Sequence, residues 1–376
     1  MKIAIDAADL CDRRVDGTRV YIKNILNYLG KIEKADSFFI YLKGRLNKEL
    51  NFRRYANYFL KKSKAPFFWT QSKFPFEIRR DQPDVLWMPL QTVPFLIKRK
   101  TRVVVTIHDL AFRFFKNHFP LKDRLFLAIF TKLALKRADK VIAVSQNTKQ
   151  DIIKEYGLPP EKITVIYHGY NDKIFNLGNA RDDKEIGNIK KKYWIKGDYI
   201  LYAGALQPRK NLEVLIKAFE KLKKIEDYNN LKLVLAGPKA WLCKDIYRRV
   251  KASANFGDII FTGHYRTKDL PYLMGGAEVF VFPSLYEGFG IPVLEAMASG
   301  VPVICADNSS LPEVGGEAPQ YFKAENYQEL AETLRKVLGN KELKQKMISG
   351  GLEQTNKFSW EKCARETYRV LKVESL

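Results

Sequence analysis

Short apolar runs, each closed by glycine, proline or a polar cluster, recur along the whole chain. In the first half they are KIAID (2–6), FFIYL (38–42), DVLWM (84–88), RVVVTIH (102–108), KVIAVS (140–145) and KITVIYH (162–168). Rich in Val and Ile and lacking polar alternation, they predict strands buried on both faces, as in a parallel sheet. Between them lie stretches of helical period. Val20, Ile22, Ile25, Leu26 and Leu29 mark one over 18–29, and others fall at 121–137 and 146–156. Residues 170–197 are polar and aperiodic, predicting a linker with at most one short helix. The strand pattern then restarts at YILYAGA (199–205), KLVLAG (232–237), DIIFTG (258–263), EVFVFP (278–283) and VPVICA (301–306). Helical patterns occupy 211–224, 241–252, 267–275 and 292–299, with a tail at 326–338, 341–355 and 359–372. The chain therefore predicts two α/β units without tandem repeats.

Length agrees, since 376 residues exceed what one core ordinarily supports. Hydrophobic content of 46% is ordinary, but 65 basic residues against 42 acidic ones give a net charge of +23. Such a field attracts nucleic acid, acidic lipid or phosphorylated small molecules. Cys11, Cys243, Cys305 and Cys363 are far apart and show no metal-ligand spacing, which fits free thiols in a reducing compartment. The start, MKIAIDAADLCD, lacks the apolar stretch of a secretion signal. The nearest approach to a membrane span, VLWMPLQTVPFLI (85–97), is short and holds two prolines, so membrane contact is expected to be peripheral.

Ligands of open α/β sheets bind at the carboxyl ends of strands. Two loops there carry chemistry. YILYAGA runs into LQPRKNLEVLIKAF, where Gly204 lets the chain turn, Asn211 can cap the helix, and Arg209 and Lys210 stand just before it. Two cations beside a helix N-terminus suit a diphosphate; an isolated pair of this kind is more often solvated. VFVFP runs into SLYEGFGIPVLEAMASGVP, with Glu287 and Glu295 eight apart. Gly288 and Gly290 permit positive φ, Pro292 fits the first helical position, and Glu295 is expected in the first turn. Complementing the helix dipole would account for Glu295 without any function, but not for Glu287. Carboxylates there could hold sugar hydroxyls or a ribose diol.

The spacing E-G-F-G-I-P-V-L-E resembles the E-x7-E motif of retaining family 4 glycosyltransferases, and AGALQPRKNL is similar to that family's phosphate loop. VIAVSQNTKQDI, VIYHGYN and SSLPEVGGEA resemble further family segments in the same order. The resemblance implies the GT-B fold, two Rossmann-like parallel-sheet domains facing each other across a cleft. The expected division is 1–172 for the first domain, joined by the C-terminal helix 357–376, then a linker at 173–197 and a nucleotide-sugar domain at 198–356. It implies that Lys210 and Arg209 bind the donor diphosphate, Arg209 standing in for the family's commoner arginine, whose place Ala205 occupies. Glu287 would face the donor sugar and Glu295 the ribose. Gly288, Phe289 and Gly290 would complete the donor loop, His264 and Tyr265 would contact the base, and Leu294 would line the nucleoside. In the first domain Gly17, with Arg19 nearby, would approach the donor phosphates. His108 would contact the donor sugar, and Asp109 would serve the acceptor side. The catalytic group so implied is Glu287, His108, Lys210 and Arg209.

The implied activity is retaining transfer of a hexose, mannose first, from a nucleotide-diphosphate sugar (GDP-mannose first) to a saccharide or polyprenyl-diphosphate-linked saccharide. No residue stands out as an enzyme nucleophile, which favours front-face displacement assisted by the leaving diphosphate. No Asp-x-Asp occurs, so no metal and no other cofactor is expected. Between Lys43 and Arg80 eleven cations face only Glu49 and Glu77, with Tyr55, Tyr58, Phe59, Phe67, Phe68 and Trp69 interleaved. This stretch reads as a solvated face, a nucleic-acid surface or a dock for anionic lipid. Lipid-linked acceptors favour the last, at the cytoplasmic face of the membrane. The alternatives are a basic nucleic-acid-binding protein, for which no recognition motif is present, or a GT-B enzyme of another class such as an epimerase or phosphorylase.

Overall fold

The computed structural model describes residues 1–11, 17–44, 52–63, 68–98 and 100–372. They form two compact units, 1–114 with 121–169 and 359–376, and 115–120 with 170–358.

Unit one is built on seven parallel strands: β1 (Lys2–Asp6), β2 (Ser37–Leu42), β3 (Tyr58–Lys62), β4 (Val85–Met88), β5 (Arg102–Ile107), β6 (Lys140–Ala143) and β7 (Ile163–Val165). Their order is β3-β2-β1-β4-β5-β6-β7. The central strands are buried on both faces, as VVVTI in β5 shows. Strand β3 is not evident from periodicity. Its sequence YFLKK is an edge, where lysines discourage further pairing, and Lys61 reaches Asp81 at 3.1 Å.

The C-terminal helix Trp360–Lys372 returns to this unit and packs on the helix Gly17–Ile32. Its last carbonyls, orphaned as in any helix end, accept from the Arg102 guanidinium at Val370 O (2.8 Å) and Leu371 O (3.0 Å). Tyr368 Oη donates to Asp36, which also binds the N-terminal amine at 2.7 Å.

Unit two has six parallel strands: β8 (Tyr199–Ala203), β9 (Lys232–Ala236), β10 (Ile259–Gly263), β11 (Val279–Phe282), β12 (Val303–Ala306) and β13 (Gln320–Phe322), in the order β10-β9-β8-β11-β12-β13. In both sheets the chain winds outward from one strand in two directions. The reversal between β8 and β11 opens a crevice at their carboxyl ends.

The stretch 173–197, expected as a linker, is structured within unit two. It holds the helices Leu177–Ala180 and Asp183–Lys192, each N-capped by a side chain, Asn176 and Asp182. The first lies so close to the helix Leu270–Gly275 that a Cβ on Gly275 would stand 1.7 Å from Ala180 O. The end of the second is fastened by Lys192 and Tyr193 to the buried Asp269. Local hydrophobic periodicity misses these helices because short polar helices are held by caps and partners rather than by an apolar stripe.

A Cβ on Gly169 would stand 2.1 Å from the backbone nitrogen of Trp360. Gly169→Ala is therefore expected to cost about 1–3 kcal/mol as overpacking. It should raise amide exchange selectively along 360–372, measured by hydrogen–deuterium exchange; unchanged exchange along that helix would refute the contact.

Candidate active site

The site of unit two is assembled from the carboxyl ends of adjacent strands. After β8 the chain turns at Gly204 and makes a single 3-10 turn, Pro208–Lys210, before the helix Leu212–Leu222. After β11, residues 283–290 lead to the helix Ile291–Ala298. The first loop delivers two cations and the second one carboxylate. Arg209 Nη1 stands 3.3 Å from Glu287 Oε2, and Lys210 Nζ pairs with Glu287 Oε1. Arg209 also donates to the Tyr286 carbonyl, and the Lys210 ammonium lies 5.0 Å from the centre of the Phe282 ring. Arg209 and Lys210 are each only 9% exposed and Glu287 8%, which excludes the reading of a solvated charged loop. Burial by itself would raise the Glu287 carboxyl. The charges of Lys210 and then Arg209 outweigh it and hold the group down to about 2.

The loop carrying Glu287 is fixed from a third side. After β12, Ser309 Oγ accepts from Glu287 N–H at 3.0 Å, and Ser310 Oγ reaches the carbonyls of Glu287 (2.9 Å) and Phe289 (2.8 Å). Leu285 N–H donates to the Arg209 carbonyl at 2.9 Å, locking the two loops backbone to backbone. Asn211 occupies the N-cap position but does not cap. With φ of +56° it turns its amide outward to the carbonyls of Pro283 (3.0 Å) and Ala324 (2.6 Å), a second tie between the loops.

Three expectations about the glutamate loop change. Gly290 takes φ of +107°, whereas Gly288 is not among the positive-φ residues. The helix begins at Ile291, so Pro292 is its second residue and Glu295 its fifth. Glu295 thus lies beyond the first turn, and the dipole account does not explain it. Leu294 has no exposed surface and belongs to the core rather than to a lining. Glu295 is half-buried, and desolvation alone pushes its carboxyl up to about 8. Its charge in turn helps to raise the Tyr265 phenol, after burial. That places Glu295 near the β10 loop, where the exposed His264 lies roughly parallel to Tyr265.

Sequence reasoning missed two residues here. Tyr202 on β8 is fully buried and donates to Ala205 O at 3.1 Å; its phenol is raised first by burial and then by Glu287. His118 comes from the short segment 115–120, which packs in unit two, and its carbonyl accepts from Trp241 Nε1 at 2.8 Å. Burial and the charge of Arg209 push its imidazole below its ordinary value. Nothing in the local sequence signals either role.

The remaining candidates belong to unit one. Gly17 opens the helix Gly17–Ile32, and a Cβ there would meet nothing within 4 Å. Arg19 is buried. His108 follows β5, with Nε2 2.9 Å from Pro89 O and its ring 5.0 Å from that of Tyr21. Asp109 Oδ1 accepts from Ala111 N–H at 3.0 Å, at the first residue of the short helix Ala111–Phe114. Among the described residues no three His, Cys, Asp or Glu side chains gather as metal ligands.

This architecture agrees with known families. The family description "Glycosyl transferases group 1" matches residues 183–354, and "Glycosyltransferase Family 4" matches 15–173. The O-antigen chain mannosyltransferase B of Escherichia coli is 31% identical over 74% of this chain and 72% of its own length. The serotype-specific mannosyltransferase WbdA of Escherichia coli is 30% identical over 73% of this chain, which spans only 33% of WbdA. Among solved structures, Anabaena HepE in complex with UDP and glucose superposes with a TM-score of 0.76 at 17% identity, each chain covered completely. WaaG, a glycosyltransferase involved in lipopolysaccharide biosynthesis, gives 0.75 at 15% identity, with 99% of this chain and 100% of WaaG covered. The fold is GT-B, and the chain belongs to glycosyltransferase family 4.

Two outcomes follow from the geometry. Glu287→Ala leaves two buried cations facing each other and should destabilise unit two by about 3–5 kcal/mol, whereas Lys210→Ala leaves Arg209 paired and should cost less. Chemical denaturation would show the order, and equal losses would contradict the shared-carboxylate arrangement. Glu295, held up to about 8 from an ordinary 4.5, disfavours folding increasingly as pH rises between those values. Glu295→Gln should therefore raise the melting temperature of the ligand-free protein over wild type more at pH 8 than at pH 5. A pH-independent difference would contradict that burial.

Proposed function

We propose that the protein is a retaining hexosyltransferase that moves mannose from GDP-mannose to a saccharide or polyprenyl-diphosphate-linked saccharide, in the assembly of a cell-surface polysaccharide or glycolipid. The observation that carries this reading is the buried Arg209–Lys210–Glu287 cluster at the reversal point of the second sheet. Two cations against one carboxylate leave a net charge of +1 in a site largely shielded from water, beside the helix starting at Leu212. A diphosphate supplies the charge that such a site lacks. Glu287 keeps both cations oriented before the ligand arrives, so little reorganisation is needed as negative charge grows on the departing diphosphate. The imidazole of His118, kept neutral beside Arg209, adds no competing charge.

In this reading Glu295 accepts from the ribose diol. A carboxyl desolvated without a compensating charge gains most from hydrogen-bond donors, and a diol offers two. His264 and Tyr265 flank the base. In unit one, Gly17 serves the donor phosphates, His108 the donor sugar and Asp109 the acceptor. The reaction follows the front-face route, in which the leaving diphosphate takes the acceptor proton, and Arg209 and Lys210 do the work that a metal does elsewhere. The mannosyl choice rests on the names of the relatives, while the neighbour crystallised with UDP keeps UDP-sugars as the competing donors. A lipid-linked acceptor is met at the cytoplasmic membrane surface by a peripheral enzyme, and no helix among the described residues is long and apolar enough to cross a membrane.

Thermal unfolding with GDP, UDP, dTDP and ADP tests the donor. A nucleotide at 100 times its dissociation constant adds about 2.7 kcal/mol of stability. GDP is expected to raise the melting temperature, and Lys210→Ala to abolish the rise. A shift with short DNA and none with any nucleotide would overturn the assignment.

A further inference from the structure

The helix Leu121–Arg137 in unit one is apolar on two opposite sides. Thr131, Ala134 and Leu135 face inward and are buried. On the other side Leu121, Leu125, Ile129 and Leu133 recur every fourth residue, with Phe126 beside them. Their exposures are 60%, 52%, 55%, 37% and 41%. At about 100° per residue these five positions fall within an arc of roughly 140°. A helix seated on a soluble domain ordinarily places polar residues there. Here the only polar positions inside that arc are Lys122, Lys132 and Lys136, all exposed, and Asp123, the helix's one acid, lies outside it.

The patch extends beyond the helix. Phe95 and Leu96 are 58% and 70% exposed, and the Phe95 ring stacks on Phe130 at 5.8 Å, which in turn lies 4.2 Å from Phe126. Arg137 donates to the Thr101 carbonyl at 2.9 Å, bringing the exposed Lys98 and Lys100 to the end of the same helix. Leucines and phenylalanines interleaved with lysines, and almost free of acids, match a surface that is apolar a few ångströms down and negatively charged at its face.

We propose that the helix Leu121–Arg137, with the Phe95–Leu96 loop, is the surface by which this protein docks on anionic lipid. The aliphatic side chains enter the headgroup boundary, and the lysines meet lipid phosphates. This deepens the reading of a membrane-side acceptor and rests on it for its purpose. It also moves the dock away from the basic stretch 43–80. There Arg45, Lys48, Lys64 and Phe67 lie outside the described residues, as does the side chain of Arg53, while Trp69 and Tyr58 are buried in the core.

The test is co-sedimentation of the full chain with vesicles of phosphatidylcholine mixed with phosphatidylglycerol, and with phosphatidylcholine alone. Wild type is expected to bind the mixed vesicles and to be weakened by salt. The double variant Leu125→Glu/Ile129→Glu should bind about tenfold or more weakly, with its melting temperature kept. Arg79→Glu, in the other basic stretch, should bind as wild type. Equal binding by the double variant, selective loss in Arg79→Glu, or wild type remaining in the supernatant would each overturn the proposal. So would a wild-type dimer in sedimentation velocity that the double variant dissolves without any vesicle binding. The nucleotide-dependent melting shift, measured on the same samples, separates this outcome from failure of the glycosyltransferase donor reading.

Discussion

Two cations nearly excluded from water, Arg209 and Lys210, need a partner, and the carboxylate they share is Glu287. Removing an ion from water costs several kcal/mol, so this arrangement stands only if the geometry around it is closely fixed. The fixing is visible on every side. Asn211 ties the first loop to Pro283, Leu285 N–H returns to Arg209 O, and Ser309 and Ser310 hold the backbone of the glutamate loop. Three strand ends, β8, β11 and β12, are thereby committed to one another. The sheet order makes this possible, because β11 lies directly beside β8 and β12 beside β11.

The two glutamates exchange explanations once the structure is considered. From sequence, Glu295 needed no function and Glu287 was unexplained. In the fold Glu287 has a complete physical account as the shared partner of two cations. Glu295, one residue further into the helix than the spacing predicted, is the group with an uncompensated desolvation cost. Carboxyls raised by desolvation with no opposing charge are found more often at ligand sites than elsewhere. The pair therefore divides its work. One carboxylate holds the cations in place, and in the function proposed above the other accepts from hydroxyl groups.

Unit one shows how charge counts mislead when exposure is ignored. The stretch 43–80 drew attention by its density of lysine and arginine with aromatics between. Two of those aromatics are core, whereas Phe59 and Phe68 are exposed: Trp69 stacks on Phe74 at 5.2 Å, and Tyr58 packs against Phe38 at 5.3 Å. Helix 121–137 looked like an ordinary covering helix, because apolar residues on both sides blur its periodicity. Its outward leucines became visible only when the sheet had claimed its inward face.

The strand series, the two-unit division and the phosphate-loop and glutamate motifs were legible in the sequence, because each depends on residues adjacent in the chain. Parallel strands buried on both faces write themselves as Val and Ile runs, and glycine before a helix marks a turn wherever it occurs. The strands β3 and β13 were illegible, since YFLKK and QYF lack the Val and Ile runs that the other two edges, β7 and β10, retain. So were the helices of 173–197, which depend on Asp269 and the helix Leu270–Gly275. The sequence also supplied Arg209, Lys210 and Glu287 as separate candidates. Only the tertiary structure decided that residues 77 apart form one ion cluster, and that Tyr202 and His118 border it. Contacts across such separations are set by the order of strands in the sheet, which no local pattern encodes.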